Sequence, residues 1–120
     1  MFDLESVRQI LSRHDSICPE DGEALDRYWK ELSETLLQDV DGYVNYLLTD
    51  CQANELLLLS EVNDEVIHAT QSPKVVRAMR EAVSRFPELN RKYAMDDDLD
   101  HSIRHQIRDK KLAQKLLCCR

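Results

Sequence analysis

The stretch QSPKVVRAMREAVSRFPE, residues 71–88, is the clearest structural element of the sequence. Its apolar residues recur at steps of three and four, which is the spacing that one face of an α-helix requires. Ser72 can accept a hydrogen bond from a free amide of the first turn, and Pro73 suits the first helical position because it has no amide hydrogen to satisfy. The stretch therefore predicts a helix that ends, or passes into a short turn, at Pro87. Its buried stripe would consist of Val76, Met79, Val83 and Phe86.

The same helical spacing of apolar residues is found on both sides of this stretch. No segment shows the alternation of apolar and polar residues that is typical of a strand. Asp3 is placed to cap a first helix, and Asp39 or Asp41 can start a later one. Residues 54–70 predict a single helix, and residues 97–117 predict the last one. Because the connections are short, we expect an all-α fold of five to six helices packed as antiparallel hairpins, in a helical bundle or a short stack of helical hairpins. The side chains predicted to be largely buried are Trp29, Leu32, Leu47, Leu59, Val62, Met79, Val83 and Ile103.

The 120 residues are predicted to form a single all-helical domain, residues 1–120, because a chain of this length can bury roughly two-thirds of its unfolded surface. Hydrophobic residues make up 42% and charged residues 32%, which is typical of a globular chain rather than a disordered one. No apolar run approaches the ~18 residues that a membrane helix needs. The N-terminal MFDLES carries acids where a signal peptide carries basic residues, which predicts a cytoplasmic protein.

Four cysteines could form two disulfides, but their spacing disfavours this. Cys18 and Cys51 are isolated, whereas Cys118 and Cys119 are adjacent, so that a bridge between them would be strained. The sequence has no C-x-x-C pair. We therefore expect reduced thiols, as in most cytoplasmic proteins, and the sequence assigns no role to Cys118 and Cys119.

The most informative feature is the uneven distribution of charge. The chain has 16 basic and 23 acidic residues, a net charge of −7, and no lysine or arginine lies between Lys30 and Lys74. A solvated helical face usually mixes the two signs, because opposite charges four residues apart support each other. Two interpretations stay open: negative charge for solubility, or an acidic surface that attracts a basic partner. Residues 31–73 contain nine acids, namely Glu31, Glu34, Asp39, Asp41, Asp50, Glu55, Glu61, Asp64 and Glu65.

Helical geometry predicts which residues of this acidic span face outward. Two groups lie opposite the apolar stripes of their helices, one around residues 39–50 and the other around residues 61–68. Tyr46 would be an aromatic anchor in an interface, or else a boundary residue with its hydroxyl in water. The predicted partner-binding residues are Asp39, Tyr46, Asp50, Glu61, Asp64, Glu65 and His68.

The stretch MDDDLDHSIRH, residues 95–105, is the candidate for metal chemistry. His101 and His105 are one helical turn apart, and Asp97 could join them as a third ligand. The zinc-protease pattern needs a glutamate after the first histidine, and Ser102 stands there instead. The acids of this stretch also suit the positive end of a helix dipole and could cap it, which favours a structural interpretation. We predict no stoichiometric metal and no cofactor; a metal-dependent enzyme using His101 and His105 is an alternative.

No catalytic motif assembles elsewhere in the sequence. It has no glycine-rich phosphate loop, no G-x-S-x-G and no two-cysteine zinc pair, which predicts a protein that is not an enzyme. The last helix is the only basic candidate for nucleic acid binding, and the rest of the chain would repel phosphate. We predict neither a nucleic acid partner nor a membrane partner.

The run ELLLLSEVNDEVIHATQS, followed by a helix that ends in SRFPE, resembles small acidic all-helical immunity proteins of bacterial toxin–immunity systems, including the contact-dependent growth inhibition type. The resemblance covers roughly residues 45–88. It implies a protein that sequesters a cognate toxin domain, often a basic nuclease. No binding residue is carried over from the family, because no motif is specific enough to match.

The sequence therefore predicts a non-catalytic binding protein, most concretely an immunity protein that neutralises a basic toxin or effector domain. The alternative is a helical adaptor or regulatory subunit for a cellular protein partner. The identity of the partner and the oligomeric state are not predicted.

Overall fold

A computed structural model describes residues 2–118, and these residues form helices and no strands. The α-helices are α1 (Leu4–Ser12), α2 (Gly22–Leu37), α3 (Val40–Thr49), α4 (Ala53–Leu59), α5 (Asn63–Thr70), α6 (Pro73–Ser84), α7 (Pro87–Tyr93), α8 (Met95–Gln106) and α9 (Lys110–Cys118). A first 3-10 helix (His14–Ser16) follows α1, and a second (Ser60–Val62) joins α4 to α5. The prediction of an all-α fold is confirmed, and the prediction of five to six helices is wrong.

The extra helices arise because two predicted helices are interrupted. The 3-10 helix Ser60–Val62 divides the helix predicted for residues 54–70. The helix predicted for residues 97–117 ends at Gln106, since Ile107 adopts an extended backbone with φ −80° and ψ 119°. Asp109 then starts α9 by accepting hydrogen bonds from the Lys111 and Leu112 amides at 3.0 and 3.2 Å. A sequence with continuous apolar spacing can therefore still contain a break.

The predicted N-terminal caps are present. Asp3 accepts a hydrogen bond from the Ser6 amide at 3.1 Å, and Ser72 accepts one from the Val75 amide at 3.3 Å. Asp39, rather than Asp41, caps α3 through the Gly42 amide at 3.0 Å. Each cap satisfies an amide that the helix itself leaves without a partner, which is why these helices begin where they do.

The buried apolar side chains of the described residues form one contiguous cluster. α3 packs along α6, α1 along α2, and α5 along α8. Seven of the eight side chains predicted to be buried are buried, while Trp29 is half-buried and packs against the edge of the cluster. Leu48 of α3 is 42% exposed, although it is a large apolar side chain.

The aspartate-rich start of α8 is arranged differently from the prediction that its acids cap the helix. The residue before α8, Ala94, has a left-handed backbone with φ 51°, and the Asn90 side chain accepts the hydrogen bond from the Asp96 amide at 2.9 Å. The carboxylates of Asp96 and Asp100 instead bind Arg80 of α6, at 3.3 and 2.8 Å. Two acids one turn apart thus hold a mostly buried guanidinium and fix α8 against α6.

A bilayer-spanning helix is not found between residues 2 and 118, where each helix is either too short or too polar for that purpose.

Candidate functional site

The predicted partner-binding residues fall into two groups on different helices. Asp39, Tyr46 and Asp50 belong to α3 or its ends, and α3 packs mainly on α6. The second group lies on the 3-10 helix Ser60–Val62 and on α5, which packs on α8. We call this second group the α5 face; its members are Glu61, Asp64, Glu65 and His68, and all four are exposed.

Tyr46 does not face outward, so the prediction of an exposed aromatic anchor at this position is wrong. The side chain is 2% exposed, and its hydroxyl donates a hydrogen bond to Glu55 at 2.9 Å. Its ring lies 5.6 Å from that of Phe2 and 6.3 Å from that of Tyr43. α3 is covered on a second side by the start of the chain, which the apolar stripe of α3 alone does not reveal.

The other two members of the α3 group differ in what they can offer a partner. The Asp39 carboxylate is half-buried and occupied as the α3 cap, so its role is local. Asp50 is exposed, and its side chain forms no ion pair with a lysine or arginine within residues 2–118. Of the α3 group, Asp50 is therefore the residue that remains available on the surface.

Glu55 is the centre of a buried polar cluster that the sequence did not single out. Its side chain is 10% exposed and accepts hydrogen bonds from Arg8 Nε at 2.8 Å, from the Tyr46 hydroxyl at 2.9 Å and from the Gln52 amide at 3.2 Å. Burial raises the pKa of Glu55, but the Arg8, Tyr46 and Gln52 hydrogen bonds outweigh it and hold the pKa below its ordinary value. The only sequence signal was the three-residue spacing of Gln52 and Glu55, which form a capping box at the start of α4.

Cys51 lies beside this cluster and is poorly suited to covalent chemistry. The residue is 3% exposed, and burial raises the pKa of its thiol to about 11. Since the thiolate is the reactive form, the thiol is largely unreactive at neutral pH. Cys18 is also a free thiol and is exposed. The reduced state of the thiols stays a prediction, and Cys119 and the Cys118 side chain lie outside the described residues.

Glu61 is the centre of a second polar cluster, near the surface. Its carboxylate accepts a hydrogen bond from Trp29 Nε1 at 2.9 Å and lies 3.0 Å from His14 Nε2. The other ring nitrogen of His14 lies 3.3 Å from Asp15. Glu61 therefore joins the second 3-10 helix to α2 and to the first 3-10 helix, in addition to its place on the α5 face.

Tyr28 lies beneath this second cluster. Its ring centroid is 5.6 Å from that of His14, and its hydroxyl is buried without a hydrogen-bond partner among the described residues. Burial is the main cause that raises the pKa of Tyr28 to about 12. A phenol with this pKa stays neutral at physiological pH, so it cannot act there as a nucleophile.

The rest of the α5 face is tied to α8 and the loop after it. The Ser102 hydroxyl donates a hydrogen bond to Asp64, and Arg108 lies 3.4 Å from His68 Nε2. Gln71, with φ 48°, donates to the Gln106 carbonyl at 2.7 Å and accepts from the Arg108 amide at 2.9 Å. The arrangement holds α5 rigidly while leaving the Glu65 side chain in solvent.

Cations from outside the lysine- and arginine-free span neutralise part of its charge. Glu31 pairs with Arg13 at 2.8 Å, Asp41 with Lys74 at 3.2 Å, and Glu55 with Arg8 at 2.8 Å. Within the part of the chain that the structure describes, other acids of the span have no lysine or arginine partner. These acids are Glu34, Asp50, Glu61, Asp64 and Glu65. Three of the five belong to the α5 face, which has more acids without a lysine or arginine partner than any other part of the span, although Glu61 also lies 3.0 Å from His14 Nε2.

His101 and His105 are neighbours on the exposed side of α8, with ring centroids 4.1 Å apart. His105 Nδ1 lies 2.9 Å from the His101 carbonyl oxygen. No cluster of three or more histidine, cysteine, aspartate or glutamate side chains suited to a metal ion occurs in the described part of the chain, so Asp97 does not complete such a site.

Comparison with known proteins returned nothing: no family model, no curated protein and no solved structure matches the chain. The resemblance to immunity proteins therefore stays a prediction.

Proposed function

We propose that this chain is a non-catalytic binding protein that uses the α5 face to bind a basic protein domain. The observation that carries the proposal is the exposed set Glu61, Asp64 and Glu65, which lies within five residues without a lysine or arginine partner among the described residues. Folding does not require such crowding, because like charges on adjacent turns repel by ~0.2–0.5 kcal/mol per pair. A partner that supplies lysine and arginine would relieve this repulsion.

The polar clusters inside the bundle support a binding protein better than an enzyme. The Glu55 carboxylate is fully engaged by Arg8, Tyr46 and the Gln52 amide. The Cys51 thiol and the Tyr28 hydroxyl both have raised pKa values, so neither is activated for attack. These groups stabilise the packing of the helices. The charged groups on the surface are therefore the ones that are available to bind a partner.

The most specific form of the proposal is an immunity protein that neutralises a basic toxin or effector domain in the cytoplasm. The small size of the chain, its net charge of −7 and its rigid acidic face all suit a competitor for a nucleic acid cleft. A helical adaptor for another basic cellular partner would use the same face. Capture of the partner by co-purification, followed by identification of the bound protein, separates these two forms.

The α5 face is tested with a charge-matched pair of variants. One variant carries Asp64→Lys with Glu65→Lys; the control carries Glu23→Lys with Glu34→Lys on the exposed side of α2, so that both change the net charge equally. Affinity for the co-purified partner is measured by titration calorimetry at low salt. We expect the α5 variant to bind at least about tenfold more weakly, or about 1.4 kcal/mol, and the control to bind nearly as wild type.

Salt provides an independent readout. Charges on an exposed face are screened beyond ~8 Å at physiological ionic strength, so wild-type binding should weaken as salt rises and the α5 variant should depend less on salt. If the circular dichroism spectrum is native and the α5 variant binds as tightly as the control, the acidic face serves solubility and the proposal fails.

A further inference from the structure

His101 and His105 form a pair of exposed imidazoles on α8 that does not belong to the α5 face. They are four residues apart, so both side chains project from the same side of the helix. Their ring centroids are 4.1 Å apart, and the ring planes are inclined by 30°. Within residues 2–118, neither the His101 ring nor Nε2 of His105 has a hydrogen-bond partner. The pair is therefore open to a ligand from solvent.

A hydrogen bond to the backbone fixes which nitrogen of His105 can bind a metal ion. Nδ1 of His105 lies 2.9 Å from the His101 carbonyl oxygen. A carbonyl oxygen can only accept, so Nδ1 carries the hydrogen and, in the neutral ring, Nε2 carries the lone pair. Metal-binding histidines usually have this arrangement, in which the second ring nitrogen donates to a carbonyl or a carboxylate. The fold thus prepares His105 as an Nε2 ligand.

The distance between the two rings favours one coordination geometry. With metal–nitrogen bonds of ~2.0–2.1 Å, two imidazoles that share an ion have centroids about 4.5 Å apart at a right angle and about 5.2 Å apart at a tetrahedral angle. The observed 4.1 Å is closer to the first value. Cu²⁺ and Ni²⁺ prefer right-angled, tetragonal coordination by nitrogen and oxygen ligands. The pair therefore fits these two ions better than it fits tetrahedral Zn²⁺.

The charged residues around the pair balance one another, so the imidazoles themselves must hold the ion. Asp97 and Asp98 are exposed in the first turn of α8, while Arg104 in its last turn and Arg108 just after it are also exposed. These four residues give a divalent ion no net attraction. Mg²⁺ and Ca²⁺ need several oxygen ligands and would not bind here, whereas imidazole nitrogens bind Cu²⁺ and Ni²⁺ without carboxylates.

We propose that His101 and His105 form a two-histidine binding site for Cu²⁺ or Ni²⁺, with water in the remaining coordination positions. Two protein ligands hold an ion less tightly than the three or four of a catalytic or structural site, so the ion exchanges with solvent. The purified chain then carries no stoichiometric metal, in agreement with the prediction from the sequence. The ion would join successive turns of α8 just before its end at Gln106. The proposal does not depend on the proposed function of the α5 face.

Titration calorimetry with Ni²⁺ tests the site, after iodoacetamide has blocked the accessible thiols so that cysteine does not compete. We expect one Ni²⁺ per wild-type chain and no binding of Mg²⁺. The matched variant exchanges two neighbours, His105→Gln with Gln106→His, which keeps the composition but places the histidines five residues apart on different sides of the helix. This exchange variant should bind Ni²⁺ at least about tenfold more weakly, and so should His101→Ala.

The melting temperature provides a second readout, because an ion that binds only the folded chain stabilises it. Saturating Ni²⁺ should raise the melting temperature of the wild type by at least about 2 °C and leave that of the exchange variant unchanged. If circular dichroism shows that the exchange variant does not fold, His101→Ala decides alone. The proposal is overturned if the wild type does not bind Ni²⁺ up to about 1 mM. It is also overturned if the folded variants bind Ni²⁺ as tightly as the wild type, since the ion would then bind to other side chains.

Discussion

At the scale of single residues, the Glu55 carboxylate joins three segments of the chain. Through Arg8 it holds α1, through Tyr46 it holds α3, and through the Gln52 amide it starts its own helix. Hydrogen bonds to a charged group contribute more than bonds between neutral groups, and a buried charge without them is costly. Glu55 is therefore a structural acid within a span whose other charges lie mostly on the surface.

We expect Glu55→Gln to lower the free energy of unfolding at pH 7 by about 2 kcal/mol, because glutamine cannot replace a carboxylate that is bound by a guanidinium. Folding lowers the pKa of Glu55, so the folded protein binds fewer protons than the unfolded chain. The stability due to Glu55 is complete above its unfolded pKa of ~4.3 and is lost as the pH falls through the lower, folded pKa.

Urea denaturation at several pH values measures this difference. The difference in the free energy of unfolding between wild type and Glu55→Gln should decrease steadily as the pH falls from about 5 to about 3. Glu34→Gln, at an exposed acid without a described ion pair, is the control and should show no gap at any pH. If this difference in the free energy of unfolding does not change with pH, the stability that Glu55→Gln loses does not come from an ionised carboxylate.

The surroundings of individual side chains were the feature that the sequence predicted least well. Asp50, Glu61, Asp64, Glu65 and His68 were placed on the surface correctly, because their helices have one dominant apolar stripe. Tyr46 was wrongly placed on the surface. The apolar stripe of a helix shows which side packs on one neighbouring helix, but it does not show how many segments cover the helix. The Glu55 cluster was missed because it depends on Arg8, which is 47 positions away and which local spacing does not reveal.

At the scale of helices, α6 was predicted closely because its cap, first-turn proline and apolar stripe all lie within its own sequence. The breaks at Ser60–Val62 and after Gln106 could not be predicted in the same way. No glycine or proline marks either break, and both are stabilised by contacts from other helices. The Gln71 side chain, for instance, binds the backbone on both sides of the break after Gln106.

α8 offers a test of how the aspartate-rich stretch acts. Asp100→Asn removes one of the two carboxylates that hold Arg80, whose side chain is only 13% exposed. Loss of a whole partner of a buried charge costs ~3–5 kcal/mol, and Asp96 remains here, so we expect a loss of about 2 kcal/mol. Thermal denaturation measures it as a fall in melting temperature of several degrees.

The matched control for this test is Asp98→Asn, which removes an equal charge from the first turn of α8 at an exposed position. It should change stability by less than about 0.5 kcal/mol. If the two variants lose equal stability, these acids stabilise α8 through the helix dipole and not through the Arg80 contact.

At the scale of the whole molecule, the described chain folds around one apolar cluster. Its radius of gyration is 13.9 Å, close to the ~14 Å expected for a compact chain of this length. A single cluster predicts that the helices lose their structure together rather than in stages.

Trp29 makes this cooperativity measurable, because it is the only tryptophan and its indole donates to Glu61. We expect the urea transition followed by tryptophan fluorescence to coincide with the transition followed by far-ultraviolet circular dichroism. A fluorescence transition that clearly precedes the loss of helix would show that the Glu61 cluster opens by itself, and that the α5 face is not held by the main core.

The bridges from Arg8 to Glu55 and from His14 to Glu61 span the same distance in sequence, 47 positions. During synthesis on a ribosome, α1 emerges before the other described helices, and it can pair early with the neighbouring α2. Its two bridging partners emerge only several helices later, and closing so long a loop carries an entropic cost that local pairing avoids. α1 would therefore be made before the other described helices but fixed in its final position only after residue 61 has been released, and until then the nascent chain has an exposed apolar edge.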